Sequence, residues 1–159
     1  MKTLINLTGP IAVGKTTMMN LLRKELKDYI FVDRAHMKDM LKPLEKKYRK
    51  KIADESALYV TKELMKRKKN ILIYEQNTSD LKRKLRNFSK GYKIYGFFLK
   101  CNVELAIKRD MKREKKSGDP EAIKEMHARV KPSKQDVIID TEKLTKKETL
   151  KIILKSILP

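Results

Sequence analysis

The run Gly9-Pro10-Ile11-Ala12-Val13-Gly14-Lys15-Thr16 has the residue types and spacing of a phosphate cradle. Glycines at its ends let backbone N–H groups curl around phosphate oxygens, and a helix opening at Lys15 aims its N-terminus at the same anion. In such a loop Lys15 reaches the β- and γ-phosphates of a nucleotide and the Thr16 hydroxyl ligates magnesium, while Ala12, Val13, Gly14 and Thr17 complete the cradle. The pattern arises by chance in roughly one chain of this length in two hundred. Its context strengthens it, because a strand precedes the loop and a helix follows. The cofactors it implies are ATP and Mg2+.

Stepping along the chain, short β-branched and aromatic runs alternate with longer helical patterns, which is the signature of a parallel sheet covered on both faces. Strands are expected near Thr3–Thr8, Tyr29–Val32, Ile71–Tyr74, Tyr92–Leu99 and Val137–Asp140. Helices are expected at about Lys15–Lys27, Arg34–Tyr48, Ala53–Lys68, Ser79–Phe88, Val103–Lys115, Pro120–Arg129 and Lys146–Ile157. Apolar spacing such as Met18, Leu22, Leu26 and Ala57, Val60, Leu64 places one stripe of each helix against the sheet. The fold class that follows is α/β, a P-loop NTPase three-layer sandwich with a five-stranded parallel sheet and a helical lid. Residues 1–159 are read as one P-loop kinase domain, with the lid at approximately 109–120 around the turn Lys116-Ser117-Gly118-Asp119-Pro120.

In a doubly wound sheet, ligands sit beyond the carboxyl ends of the strands. Asp33 follows the second strand and is the candidate general base for transfer to a hydroxyl; the competing reading is a helix N-cap for the segment at Arg34. Glu75, after the third strand, would order magnesium through water, and Asn77 two residues on faces the acceptor. Arg109 and Arg113, spaced i, i+4, would share one helix face and reach ATP phosphates, unless they are two arginines on a solvated helix. His36, three residues after Asp33, could face the acceptor; His127 reads as structural or solvent-exposed.

Other uses of a phosphate loop fit less well. A GTPase would need an Asn-Lys-x-Asp base reader, which the chain lacks, and a motor core usually needs a longer chain and a strand ending in Asp, whereas Ile71-Leu72-Ile73-Tyr74 runs into Glu75. Lys+Arg total 40 against 20 Asp+Glu, a formal charge of +20, the footprint of a protein that meets polyanions. Of the basic residues 31 are lysine and nine arginine, and lysine enrichment is also a habit of some thermophile proteomes. The surplus over acids favours an anionic partner. Clusters at Lys46-Lys47-Tyr48-Arg49-Lys50-Lys51, Lys66-Arg67-Lys68-Lys69 and Lys82-Arg83-Lys84 are expected to line its path. A single cysteine, Cys101, permits no intramolecular disulfide, and no apolar stretch approaches 18 residues. A cytoplasmic protein with no membrane contact is the expectation.

The layout resembles the kinase domain of polynucleotide 5′-hydroxyl kinases and their relatives in the adenylylsulfate-kinase and zeta-toxin groups, over nearly the whole chain. The phosphate loop is common to that superfamily. More telling are Ile73-Tyr74-Glu75-Gln76-Asn77-Thr78-Ser79-Asp80-Leu81-Lys82-Arg83, similar to the segment where a strand ends in an acid and passes an Asn into a basic helix, and Val103–Arg113, which resembles the lid helix with Arg109 and Arg113 on its paired arginines. The family usually carries Asp-x-x-Arg after the second strand, the Asp activating the 5′-hydroxyl and the Arg contacting an acceptor phosphate. Here the string is Asp33-Arg34-Ala35-His36, with Lys38 two residues on, so the Asp is kept and His36 replaces the Arg. The tail Asp136–Leu144 resembles the last strand of adenylylsulfate kinases at least as well. The resemblance implies an ATP-dependent phosphotransferase whose acceptor-binding residues are Asp33, His36, Lys38 and Asn77. Its acceptor would be the 5′-hydroxyl of a nucleic acid, or alternatively a nucleoside, nucleotide, sugar or adenylylsulfate. A nucleotide-gated nucleic-acid-binding protein without transfer activity is the third reading.

Overall fold

The computed structural model describes residues 1–74, 77–114 and 118–158. Five strands, β1 (Lys2–Thr8), β2 (Tyr29–Val32), β3 (Asn70–Tyr74), β4 (Tyr92–Lys100) and β5 (Asp136–Asp140), form one parallel sheet in the order β2-β3-β1-β4-β5. Each pairing is in parallel register, for example Leu4 with Ile71, Ile5 with Tyr95 and Val32 with Ile73. Alternation along the strands fixes what each face buries. Ile5, Leu7, Leu72, Phe97 and Leu99 point to the side covered by α1 (Lys15–Glu25) and α7 (Lys146–Ile157). Leu4, Ile71 and Ile73 point to the opposite side, under α3 (Lys46–Lys66) and α4 (Thr78–Leu85). The result is the three-layer α/β arrangement expected of the sequence, and each fully buried Leu or Ile contributes about 1.5–3 kcal/mol to it.

Where a helix start is written in side chains, the sequence places it well. Asp119 accepts from Ala122 N at 2.7 Å with Pro120 at the first helical position, and α6 spans Pro120–Arg129. Thr145 and Glu148 close a capping box that begins α7. Three expected helices come out with clearly different bounds. The segment expected as one helix over Arg34–Tyr48 is split into α2 (Arg34–Met40) and the start of α3, separated by a turn over 41–45. Pro43 lies in that turn; it has no N–H and biases Lys42 away from helical dihedrals. The lysine run that follows forms the first turns of α3, which therefore begins at Lys46 rather than near Ala53 and buries Ala53, Ala57, Thr61 and Met65 along one edge.

The helix expected to reach Lys115 is shorter. Helix α5 covers Val103–Met111; its last apolar core residue is Ala106, with Ile107 half-buried, and beyond the buried Asp110 it ends at the exposed Met111. Lys115, Lys116 and Ser117 of the expected lid, and Glu75 and Gln76 after β3, lie outside the described residues. No helix among the described residues is long and apolar enough to cross a membrane.

Candidate functional site

The phosphate loop joins β1 to α1 at the carboxyl edge of the sheet. Its shape depends on backbone geometry that few residues tolerate. Gly9 has φ of 138°, and a Cβ there would stand 2.3 Å from the carbonyl oxygen of Leu99, so any side chain would collide with β4. Gly14 is left-handed at φ 99° and is the N-cap of α1. It has no capping side chain to offer the first-turn amides, which an α-helix leaves without intrahelical acceptors. Those amides and the helix dipole are what an anionic phosphate would meet. Ala12 is also left-handed, φ 62°, a conformation costing a non-glycine residue about 1–2 kcal/mol. It is held there by burial against Ala106 and Ile123.

Lys15 lies over this loop, its Nζ donating to Gly9 O at 2.7 Å and Pro10 O at 2.5 Å. Thr16 and Thr17 are exposed on the first turn of α1. Among the described residues no group of three or more His, Cys, Asp or Glu side chains could hold a metal ion. Magnesium carried with a nucleotide needs no such cage, since most of its ligands are phosphate oxygens and waters, and a hydroxyl such as Thr16 suits its preference for oxygen.

Two contacts brace the loop from behind. His127 of α6 lies with Nε2 2.8 Å from Ile11 O, bridging 116 residues of sequence. The Thr141 hydroxyl, just past β5, lies 2.9 Å from Val13 O and accepts from Arg109 Nη1 at 3.1 Å, while Arg109 Nη2 donates to Thr141 O at 2.9 Å. Arg109 is thus tied to the β5 end and, through Thr141, to the loop. Arg113 is not on the same helix face: it follows the end of α5 and pairs with the buried Asp110 at 3.5 Å. The expected i, i+4 pair is replaced by two arginines anchored to different partners. Cys101 lies next to Arg109, and burial pushes its thiol above the ordinary range, with the guanidinium pulling the other way. That disfavours the thiolate a nucleophile requires.

Across the edge from the loop stands Asp33. Its Oδ1 accepts from His36 N at 2.9 Å, the N-cap of α2, and from the Tyr74 hydroxyl at 3.0 Å. Register explains the second contact: Val32 is paired with Ile73, so the next residues, Asp33 and Tyr74, emerge side by side. Tyr74 is itself fixed by stacking on Phe31, ring centroids 5.9 Å apart. The other carboxylate oxygen, Oδ2, carries no hydrogen bond among the described residues. Capping and chemistry therefore do not compete at Asp33, since one oxygen caps and one is left over. Arg34 is buried and paired with Asp54 of α3, which pins α2 to α3.

His36 is exposed, Lys38 half-buried, and Asn77 caps α4 by accepting from Asp80 N at 3.0 Å. Glu75 falls outside the described residues. The basic clusters separate. Lys46–Lys51 opens α3 at the carboxyl edge of the sheet. Lys66–Lys69 ends α3 and leads into the start of β3, the opposite edge, where Arg67 pairs with Glu63 and Lys66 lies over Phe88. That cluster does not line a path to the loop. On α4, Arg83 and Lys84 are paired with Asp80.

Sequence reasoning missed Tyr74 and Thr141; His127, expected as structural or solvent-exposed, is half-buried against Ile11 O. Tyr74 could have been found from strand register once the strand order was known; Thr141 acts through a backbone carbonyl and leaves no sequence pattern.

Fold and loop together define a parallel α/β P-loop architecture. The chain belongs to the AAA domain family, whose model matches residues 5–130. No curated protein matches it in sequence. Among solved structures it is similar to a candidate kinase from Chloroflexus aurantiacus, with TM-score 0.74, 12% identity and 97% of each chain covered. It is also similar to a gluconokinase from Sinorhizobium meliloti, with TM-score 0.69, 13% identity, and 96% of this chain and 90% of that one covered. A third likeness is to a chain of the Pnkp1/Rnl/Hen1 RNA repair complex, with TM-score 0.67 and 18% identity. There 80% of this chain is covered and only 43% of the other.

Proposed function

We propose that this protein is an ATP- and magnesium-dependent phosphotransferase whose acceptor is a hydroxyl group, the 5′-hydroxyl of a polynucleotide in the first instance. The observation that carries the reading is Asp33, fixed by Tyr74 and its helix cap and left with one carboxylate oxygen, at the same sheet edge as the phosphate loop. Only β3 separates β2 from β1, so the two sites stand about 10 Å apart at a strand spacing of about 4.8 Å. That gap accommodates a γ-phosphate and an approaching hydroxyl.

In this scheme the loop amides and Lys15 hold the β- and γ-phosphates, and Thr16 would hold the magnesium that comes with them. Magnesium supplies charge neutralisation on the phosphates when bound. Asp33 Oδ2 accepts the proton of the acceptor hydroxyl as its oxygen bonds to the γ-phosphorus. The bond from γ-phosphorus to the β,γ-bridging oxygen breaks, and ADP leaves with its new charge facing Lys15. Arg109, braced on Thr141, and Arg113 stand on the lid side. Glu75, Asn77, His36 and Lys38 are proposed to flank the metal and the acceptor.

The polynucleotide acceptor is supported by the excess of basic charge and by the likeness to a component of an RNA repair complex. A second reading, transfer to a small polyol or acid, is favoured by the near full-length likeness to a gluconokinase. The test is incubation with γ-labelled ATP and either 5′-hydroxyl oligonucleotides or gluconate, nucleosides and adenylylsulfate. Label on oligonucleotides, falling with log salt at a slope of about −0.7 per phosphate contacted, is the predicted result. Label on a small acceptor alone would overturn it.

A further inference from the structure

Exposed large apolar side chains are concentrated in one segment. Met40, Leu44, Tyr48, Ile52 and Tyr59 are all solvent-facing, Tyr48 at 49% and Tyr59 at 66% exposure. At about 100° per residue, Ile52 and Tyr59 fall about 40° and 20° from Tyr48 around α3, so the three form one row, and Tyr48 and Tyr59 are about 16 Å apart. This is the outer face of the helix, since Ala53, Ala57, Thr61 and Met65 pack inward. Neither tyrosine is spent on the core. An apolar row on a surface helix marks a contact surface, and its chemistry is set by what surrounds it: Lys47 and Lys51, about 100° and 60° around the helix from Tyr48, line one side of its upper end, with Lys47 lying over the Tyr48 ring at 4.7 Å. Carboxylates are few there. Glu45 is paired with Lys47 at 3.4 Å, and Glu55 is the one acid in the row between the tyrosines.

Aromatic rings interleaved with lysines are the device by which proteins hold single strands, bases on the rings and phosphates on the cations. A second copy of this chain is the poorer occupant, because it would set the same lysines against each other on a protein of charge +20. The row also starts in the right place. Its N-terminal end at Tyr48 lies just past the turn over 41–45 that follows α2, the helix capped by Asp33, and the exposed Met40 and Leu44 lie at the end of α2 and within that turn.

We propose that the outer face of α3 is a single-strand platform that carries the acceptor chain on the 3′ side of the hydroxyl presented to Asp33. The proposal rests on the polynucleotide reading for its biological sense but is measured separately from it. Binding of a fluorescent ten-nucleotide single strand is followed by anisotropy for the wild type, Tyr48→Ala, Tyr59→Ala, the double variant, Lys47→Ala/Lys51→Ala and Glu55→Gln. Phosphoryl transfer to the oligonucleotide is compared with transfer to a nucleoside 3′-phosphate. Each tyrosine substitution is expected to weaken oligonucleotide binding about tenfold with an unchanged salt slope, since stacking carries no counterion release. It should lower the oligonucleotide-to-mononucleotide ratio of kcat/KM by a similar factor. The lysine pair should lower the salt slope by about 1.4, and Glu55→Gln should tighten binding. Binding lost in the tyrosine variants without transfer to any oligonucleotide would retain the platform and sink the acceptor assignment instead. Wild-type affinity in the double variant overturns the platform. So does polyglutamate binding that depends on the tyrosines while oligonucleotide binding does not, an outcome that assigns the face to an acidic protein.

Discussion

The phosphate loop and the wall around Asp33 occupy the same sheet edge two strands apart, yet they are built by different means. The loop is made of backbone: Gly9 fits because Leu99 O leaves no room for a Cβ, Gly14 turns left-handed into α1, and Lys15 bonds to carbonyls five and six residues away. Its turn is written in neighbouring residues, and the distant residues that reach it, Leu99, His127 and Thr141, meet its backbone. The Asp33 wall is made of side chains that meet only after folding, namely Asp33 with Tyr74 across 41 residues and Arg34 with Asp54 across 20. A phosphate cradle can be a short sequence motif, whereas the wall proposed to meet the acceptor is assembled from tertiary pairs.

Three substitutions probe that contrast, in decreasing order of effect. Lys15→Ala removes the charge the loop holds toward the phosphates and should lower transfer by about 10³ or more. The melting temperature should move by no more than the few degrees that correspond to about 1 kcal/mol in a domain of this size. A variant of unchanged turnover would break the assignment of the loop. Tyr74→Phe deletes one hydrogen bond to a carboxylate, worth about 1.5–3 kcal/mol. Transfer should fall roughly tenfold or more while ATP affinity holds, because Tyr74 touches the acceptor wall and not the loop. Equal losses in ATP affinity would mean the two halves are coupled. His127→Ala removes a brace worth about 1 kcal/mol, and should show as a melting-temperature drop of about 2–4 °C. Nucleotide analogue binding should restore part of that drop, since phosphates pull the same loop together. A drop that nucleotide leaves untouched would confine His127 to packing.

The same contrast explains what could be read from the residues alone. The five parallel strands, the loop, and the helices opened by Asp119-Pro120 and by Thr145 with Glu148 were legible because each is written within a few neighbouring positions. The break at Pro43 was legible in principle but was overridden by the helical pattern around it. The pairing of Arg109 with Arg113 failed because spacing on a helix presumes a helix, and α5 ends at Met111 before the second arginine. Tyr74 and Thr141 were missed, and the partner of His127 was not legible, because these contacts depend on which strand lies beside which and on carbonyl oxygens that every residue possesses. The Lys66–Lys69 cluster, similar in composition to Lys46–Lys51, lies at the far edge because α3 runs about 31 Å from one to the other.

The central claim is that Asp33 serves the acceptor while the loop serves the donor, and Asp33→Asn addresses it directly. Asparagine keeps an oxygen for the His36 amide and so keeps the α2 cap, but it cannot accept the hydroxyl proton. Single-turnover transfer from γ-labelled ATP to a 5′-hydroxyl oligonucleotide, measured beside ATP affinity and melting temperature on the same preparation, should fall by roughly 10²–10⁴ with ATP affinity unchanged. The melting temperature should stay within a few degrees of wild type. Turnover that survives while the melting temperature falls would contradict the account and leave Asp33 a helix cap alone.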